Sequence, residues 1–210
     1  RDTLRKAGYT DAEYGIDAKS CGVTVSIQEQ SNDIKEGVDT ALEQRGAAAS
    51  EDLLQTGAGD QGMMVGFACR EEVDGVPLDT EFMPLPIYLS HKLCRRMAML
   101  RKEGVLPYLR PDGKSQVTIE YSYGKPKRVH TVIVSPQHDP SVETEKMYED
   151  VLAEIVNPVI PSVLLDDTTI YRVNPSGSFS VGGPAGDAGL TGRKILVDTY
   201  GGTARHGGGA

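Results

Sequence analysis

The sequence predicts an α+β fold, with antiparallel or mixed sheets covered by helices, and three observations carry that prediction. Strand and helix patterns alternate irregularly along the chain, not in a regular βαβ order. Two alternating stretches, residues 117–123 and 128–134, flank a turn at Gly124-Lys125-Pro126 and predict an antiparallel hairpin. Over residues 86–103, Ile87, Leu89, Leu93, Met97 and Leu100 recur at helical spacing.

Taken from the start, residues 1–8 close a helix, with Lys6 late in the element and Gly8 at the stop, as C-caps prefer. Gly22-Val23-Thr24-Val25-Ser26-Ile27 alternates apolar and small polar residues, which predicts a half-buried strand. Residues 28–56 are polar, acidic and poor in aromatics, and read as a mobile loop or a surface linker. Gly57-Ala58-Gly59-Asp60-Gln61-Gly62 satisfies G-x-G-x-x-G, but a dinucleotide fingerprint must follow a buried strand and open a helix. Glu51-Asp52-Leu53-Leu54-Gln55-Thr56 is no buried strand. Met63-Met64-Val65-Gly66-Phe67-Ala68-Cys69 is apolar on both faces and carries a glycine that a helix would resist, so it reads as a buried strand. A nicotinamide site is rejected on those grounds.

Residues 71–79 form a charged turn around Asp74-Gly75. The helix over 86–103 begins with Pro86 and stops at Gly104. Met97 and Met99 belong to core or interface, and His91, Arg95 and Arg96 to the solvated side. Pro111-Asp112-Gly113 is a turn by its chemistry, from which Lys114 leaves toward the hairpin. Asp139 as N-cap and Pro140 at N1 predict a helix with Met147, Val151, Leu152 and Ile155 on one face, ended by Pro158 and Pro161. His138, just ahead of it, reads as a capping or packing residue and not as a ligand. Residues 168–173 form another strand, and residues 195–200 a buried one.

Composition narrows the function classes. With 210 residues, 39% of them hydrophobic, the chain can bury a core in one or two domains. No apolar run approaches the ~20 residues of a membrane span and no signal segment opens the chain, so a cytoplasmic location is expected. A net charge of −8 argues against a nucleic-acid surface. An anionic ligand must therefore be gripped by a local cluster. Cys21, Cys69 and Cys94 are odd in number and lack C-x-x-C spacing, which suggests buried small hydrophobes and neither disulfides nor zinc.

That local cluster is found in Gly182-Gly183-Pro184-Ala185-Gly186-Asp187-Ala188-Gly189-Leu190-Thr191-Gly192-Arg193-Lys194. So many glycines let backbone N–H groups approach a ligand closely. Asp187 suits an amine or a sugar hydroxyl, while Arg193 and Lys194 suit phosphate oxygens. The site reads as one for a polyphosphate; its plainer reading is a turn ahead of a solvated strand start. It is no Walker A loop, because the G-x-x-x-x-G-K-[ST] spacing fails and a strand, not a helix, is expected to follow.

This stretch, continued by Ile195-Leu196-Val197-Asp198-Thr199-Tyr200-Gly201-Gly202 and Ala204-Arg205-His206-Gly207-Gly208-Gly209-Ala210, resembles the signature of S-adenosylmethionine synthetases. Gly57-Ala58-Gly59-Asp60-Gln61-Gly62 matches that family's hexapeptide. Leu106-Pro107-Tyr108-Leu109-Arg110-Pro111-Asp112-Gly113-Lys114-Ser115-Gln116-Val117-Thr118 is close to a third signature, with Tyr108 where the family has tryptophan. The resemblance covers essentially the whole chain but only the middle of the family's length. The missing start methionine and the ending at Gly-Gly-Gly-Ala suggest a fragment.

The resemblance implies repeated sheet-plus-helix subdomains about a pseudo-threefold axis. On it, residues 1–29 are the tail of an N-terminal repeat, 30–56 a mobile gate loop, 57–182 the central domain and 183–210 the start of a C-terminal domain. It implies S-adenosylmethionine synthesis from ATP and L-methionine, with tripolyphosphate cleaved to pyrophosphate and phosphate. The alternative is a truncated, non-catalytic paralogue that binds nucleotide or partners a catalytic subunit. Gln30, in Gln-Ser-Asn-Asp-Ile where the family has a proline in place of Asn32, is assigned to methionine binding; by composition it is an ordinary loop residue. Asp60 is placed at the active site, with a simple turn carboxylate as its plainer reading. Asp112, Gly113 and Lys114 contact ATP, and Lys114 neutralises phosphate charge. Ser178 and Phe179 border the nucleotide, Ser178 replacing the usual arginine and Phe179 offering an aromatic face. Lys114, Asp187, Arg193 and Lys194 carry the catalytic roles, and Ala210 falls at the end of the binding set. Mg²⁺ and K⁺ are implied, but the family's His-Pro-Asp element, potassium-site glutamate and Phe-Ser-Gly-Lys-Asp are not in this chain, so no metal ligand is named. A homodimer or homotetramer is implied as well.

Overall fold

A computed structural model describes residues 1–42, 57–59 and 62–208 and bears out the α+β class. In chain order its elements are α1 (Asp2–Ala7), α2 (Asn32–Asp39), β1 (Glu72–Val73), β2 (Val76–Pro77), α3 (Leu85–Lys102), β3 (Leu109–Ser122), β4 (Lys125–His138), α4 (Thr144–Asp150), β5 (Ile170–Val173), α5 (Gly183–Gly186) and α6 (Ile195–Asp198). They divide into two compact units, residues 1–21 with 65–208, and residues 22–64.

The larger unit is built on a mixed sheet of order β3-β4-β5. β3 and β4 pair antiparallel along 14-residue strands. Their turn holds Tyr123 and Gly124 at φ 49° and 79°, a pair of left-handed residues that matches the twist of a two-residue hairpin. β5 joins β4 in parallel, with Thr131 opposite Ile170. A parallel return needs a crossover. Here it contains α4 and its continuation, a π-helical stretch over Val151–Val156.

The core joins three layers. Leu85, Leu89, Leu93, Met97 and Leu100 of α3 meet Val117, Val129, Val132 and Val134 of the hairpin, and Met147, Val151 and Ile155 close the cluster. The predicted apolar stripe is therefore the buried face of α3, with Ile87 at its edge. Glu71 holds the head of that helix: its Oε2 accepts from Leu85 N–H at 2.6 Å and its Oε1 from the Tyr121 hydroxyl at 2.6 Å. This satisfies one of the orphan donors of a helix start through a residue outside the helix.

Several expectations are corrected. Residues 22–27 form no strand: Val23, Val25 and Ile27 are 64%, 73% and 87% exposed, and no described segment pairs with them. Residues 63–69 likewise form no strand: Met64 is 94% exposed, and a single backbone bond, from Cys69 N–H to Phe82 O at 2.9 Å, ties the end of the segment. A β pattern becomes a strand only beside a partner that takes its hydrogen bonds. The loop expected over 28–56 holds α2, whose N-cap Ser31 accepts from Ile34 N–H at 3.3 Å; its stretch 43–56 lies outside the described residues.

Pro111-Asp112-Gly113 is not a free turn but part of β3. The register steps from Leu109 opposite His138 to Gly113 opposite Pro136, so three residues bulge across from Gln137 alone. A bulge accommodates the proline that lacks an N–H. The hairpin turn centres on Tyr123-Gly124, one residue earlier than the expected Gly124-Lys125-Pro126, and Lys125 and Pro126 already belong to β4. Asp139 caps no helix: its Oδ1 accepts from Ser141 N–H at 2.9 Å, making a local Asx turn, and α4 starts at Thr144.

Residues 195–200 are not a buried strand. Ile195–Asp198 form the single turn of α6 and Thr199 caps it, with Leu196 and Val197 about half exposed. This segment packs on α3 instead, where the His91 ring meets Val197 O at 2.8 Å. Arg96 is not simply solvated, since its Nε donates to Glu154 O at 2.8 Å. The three cysteines are free and half-buried, not fully buried.

Candidate functional site

The bulge in β3 is what makes a site. It turns Asp112 toward the glycine-rich segment, where Asp112 Oδ2 accepts from Gly183 N–H at 2.8 Å and Oδ1 accepts from Gly113 N–H at 2.7 Å. Both oxygens thus hold backbone, joining residues 71 positions apart. Gly182 is buried where three side chains meet: a Cβ there would lie 2.9 Å from Asp112 Oδ2, 2.9 Å from Phe179 Cε2 and 3.0 Å from Gln137 Cδ. Gly183, at φ 61°, rests on the Tyr9 ring, and a Cβ would come within 2.2 Å of its hydroxyl. Burial, and next the charge of Asp112, push the Tyr9 phenol above its usual value.

Beside this cradle the Lys114 ammonium stands 5.5 Å from the centre of the Phe179 ring, a cation–π contact. Gln137 and His138 anchor the segment that carries Phe179. Gln137 Oε1 accepts from Asp112 N–H at 3.1 Å while its Nε2 donates to Ser180 O at 3.1 Å. His138 N–H donates to Phe179 O at 3.0 Å, and Phe179 N–H donates back to His138 Nε2 at 3.1 Å. Arg110 braces the strand's other side, stacked 4.6 Å over Tyr14 and ion-paired to Asp139. Between α3 and the bulge lies a cavity of about 140 Å³, lined by Cys94, Met97, Arg101, Asp112 and Gly113 among others.

The structure brings together Asp112, Gly113, Lys114 and Phe179, with Ser178 exposed next to them. Asp187 caps the C-terminal end of α5 and is exposed. Arg193 and Lys194 are exposed at the head of α6, and no contact among the described residues links them to Asp112 or Phe179. Gln30 belongs to the other unit, in an exposed stretch without regular structure. Asp60 and Ala210 lie outside the described residues. Gln137 and Tyr9 were missed by sequence reasoning, and His138 was read only as a capping or packing residue. The available signal was the polar run Ser135-Pro136-Gln137-His138 at the end of a strand.

Comparison with known proteins covers both the β3 bulge and the glycine-rich segment. The family model described as the central domain of S-adenosylmethionine synthetase matches residues 55–179, and that of the C-terminal domain matches residues 181–210. The chain belongs to the S-adenosylmethionine synthetase family. It is 59% identical, over 212 aligned positions, to a protein of Roseiflexus castenholzii named S-adenosylmethionine synthase. That alignment takes in all of this chain and 51% of the relative, so the chain spans about half the relative's length. Within the synthetase family frame, the cradle sits where the central-domain and C-terminal-domain matches meet, because Phe179 closes one and Gly182-Gly183 opens the other.

Proposed function

We propose that the chain is part of an enzyme that makes S-adenosylmethionine from ATP and L-methionine. The reading is supported most by one observation: Asp112–Lys114, Phe179 and Gly182-Gly183, distant in sequence, converge on one cradle in a chain of this family. In the reaction, the methionine thioether sulfur attacks ribose C5′ and the C5′–O bond to tripolyphosphate breaks, its electron pair leaving with the phosphate oxygen. Tripolyphosphate is then hydrolysed to pyrophosphate and phosphate. A neutral thioether carries no proton, so the first step needs no general base. The protein must align sulfur with C5′ and stabilise charge on the departing phosphates.

In this reading Phe179 packs the nucleoside and Lys114 trades its ring contact for a phosphate oxygen. Arg193 and Lys194 supply further positive charge, and Asp187, Asp60 and Gln30 orient ribose and methionine. Mg²⁺ and K⁺ are the cofactors the family implies. The described residues do not fit a metal: among them no three metal-ligating side chains gather, and both Asp112 oxygens are taken by backbone N–H groups. A homodimer or homotetramer in the cytoplasm completes the proposal.

The test is an assay of the complete gene product for S-adenosylmethionine and for tripolyphosphate cleavage, beside its Lys194→Ala variant. Wild-type turnover with a loss of about a hundredfold in the variant is expected, as for removal of a charge-stabilising group. Unchanged turnover in the variant removes the phosphate role from Lys194. ATP binding with no product from the wild type would favour the non-catalytic paralogue.

A further inference from the structure

Adjacent residues on a strand point to opposite faces, so a polar pair at a strand end normally leaves one side chain in water. Gln137 and His138, which end β4, are instead 2% and 4% exposed. Residues 179–182 cross them: Ser180 and Gly182 lie against Gln137, and Phe179 lies against His138. Phe179 itself lies in a stretch with no helix or strand, between β5 and α5. Its place has to be fixed by side chains.

The geometry points to His138 as the positioning residue that sets Phe179, resting on the reading that Phe179 packs the nucleoside. A backbone N–H only donates, so His138 Nε2 must accept from Phe179. The ring proton then sits on Nδ1 and donates to Asp139 O at 2.8 Å. With both ring nitrogens engaged the imidazole cannot turn. The reciprocal bond from His138 N–H to Phe179 O makes a two-bond clamp on the Phe179 main chain. Gln137 repeats the device one residue away, tying Ser180 to Asp112. The ring is thereby held within reach of Lys114, and the stacking face and the phosphate cation stay in register. His138 touches no substrate; it acts through Phe179.

Two amide variants in the complete gene product separate this from a general structural role. In His138→Gln the side-chain oxygen reaches the place of Nε2, whereas in His138→Asn it reaches only that of Nδ1 and leaves the Phe179 N–H unpaired. The KM for ATP is expected to stay within about threefold of wild type in His138→Gln and to rise about tenfold or more in His138→Asn. The KM for methionine should move in neither. Equal KM values for ATP in the two variants, or equal rises for both substrates, overturn the inference. Should the wild type form no S-adenosylmethionine, the proposed function fails, yet the same contrast in equilibrium ATP binding still decides His138. If His138→Asn does not fold, the ring ¹⁵N shifts of the wild type decide instead: an unprotonated Nε2 supports the clamp and a protonated one refutes it.

Discussion

At the scale of single residues, the cradle is set by how closely a glycine lets three side chains approach. Gly182 has an extended backbone, φ −153°, that any residue can adopt, so its requirement is space and not conformation. The 2.9 Å approaches to Asp112 Oδ2 and Phe179 Cε2 are too short for a methyl group. Gly182→Ala must push the ring or the carboxylate aside, and overpacking of this kind destabilises by roughly 1–3 kcal/mol. We expect a modest fall in melting temperature with a rise of about tenfold in the ATP dissociation constant, read by calorimetry; ATP affinity equal to wild type would show that the cradle does not bind nucleotide. The motif residues of the site were legible because their chemistry is carried by residue type: glycines, Asp112, Lys114, Phe179. Gln137 was not, since a buried amide looks like any surface glutamine until Ser180 and Gly182 are seen to lie against it. The role of Asp112 also changes once the structure is known, from a carboxylate offered to a ligand to one that joins Gly113 and Gly183.

At the scale of elements, the hairpin and α3 were readable for opposite reasons. α3 announces itself through a stripe that a helix alone can bury, and each fully buried leucine, such as Leu93, contributes roughly 1.5–3 kcal/mol. The hairpin was readable from alternation, which fixes the face but not the turn. Tyr123 occupies a left-handed position and is fully exposed, so its side chain gives nothing back for the strain. Asparagine is at home in that conformation, and Tyr123→Asn is expected to stabilise the domain by roughly 1 kcal/mol, seen as a higher urea midpoint with an unchanged slope. A lower midpoint would mean that Tyr123 makes a contact in solution that the structure does not show. Residues 22–27 and 63–69 were misread because alternation and apolar content describe what a strand surface needs; whether a partner strand is there is not written in the segment itself. The β3 bulge was misread for a related reason, since Pro-Asp-Gly has turn chemistry and only the length of the partner β4 keeps it in the sheet.

At the scale of the larger unit, two phenols with part-buried hydroxyl bonds, Tyr108 half-buried and Tyr121 40% exposed, tie separate elements together and make its stability depend on alkali. The Tyr108 hydroxyl donates to Asp150 at 2.9 Å, joining the start of β3 to α4, and Tyr121 donates to Glu71 at 2.6 Å, joining β3 to the head of α3. Burial first, then the bond to a carboxylate, raises both phenols well above their usual 10.0. Each must stay protonated to donate, and ionising it would set two negative charges side by side. A group whose folded pKa is raised stabilises fully below its unfolded value and loses that contribution as pH climbs beyond it. The melting temperature is therefore expected to hold between about pH 7 and 9.5 and to fall above about 10, where the unfolded tyrosines ionise. Tyrosinate absorbance should show these two phenols titrating only as the protein unfolds. The acid limb has the opposite sign: Asp139 and Asp166, lowered from 3.8 chiefly by the hydroxyls of Ser141 and Thr168, lose their contribution as pH drops below that value. Tyr121→Phe separates the phenol from general alkaline unfolding. It leaves Glu71 Oε1 without its donor, so stability near pH 8 should drop by about 1–3 kcal/mol, while the slope above pH 10 becomes shallower than in wild type. Parallel slopes in the two proteins would mean that Tyr121 is already free to ionise in the folded state, and that the bond to Glu71 does not hold α3 to the sheet.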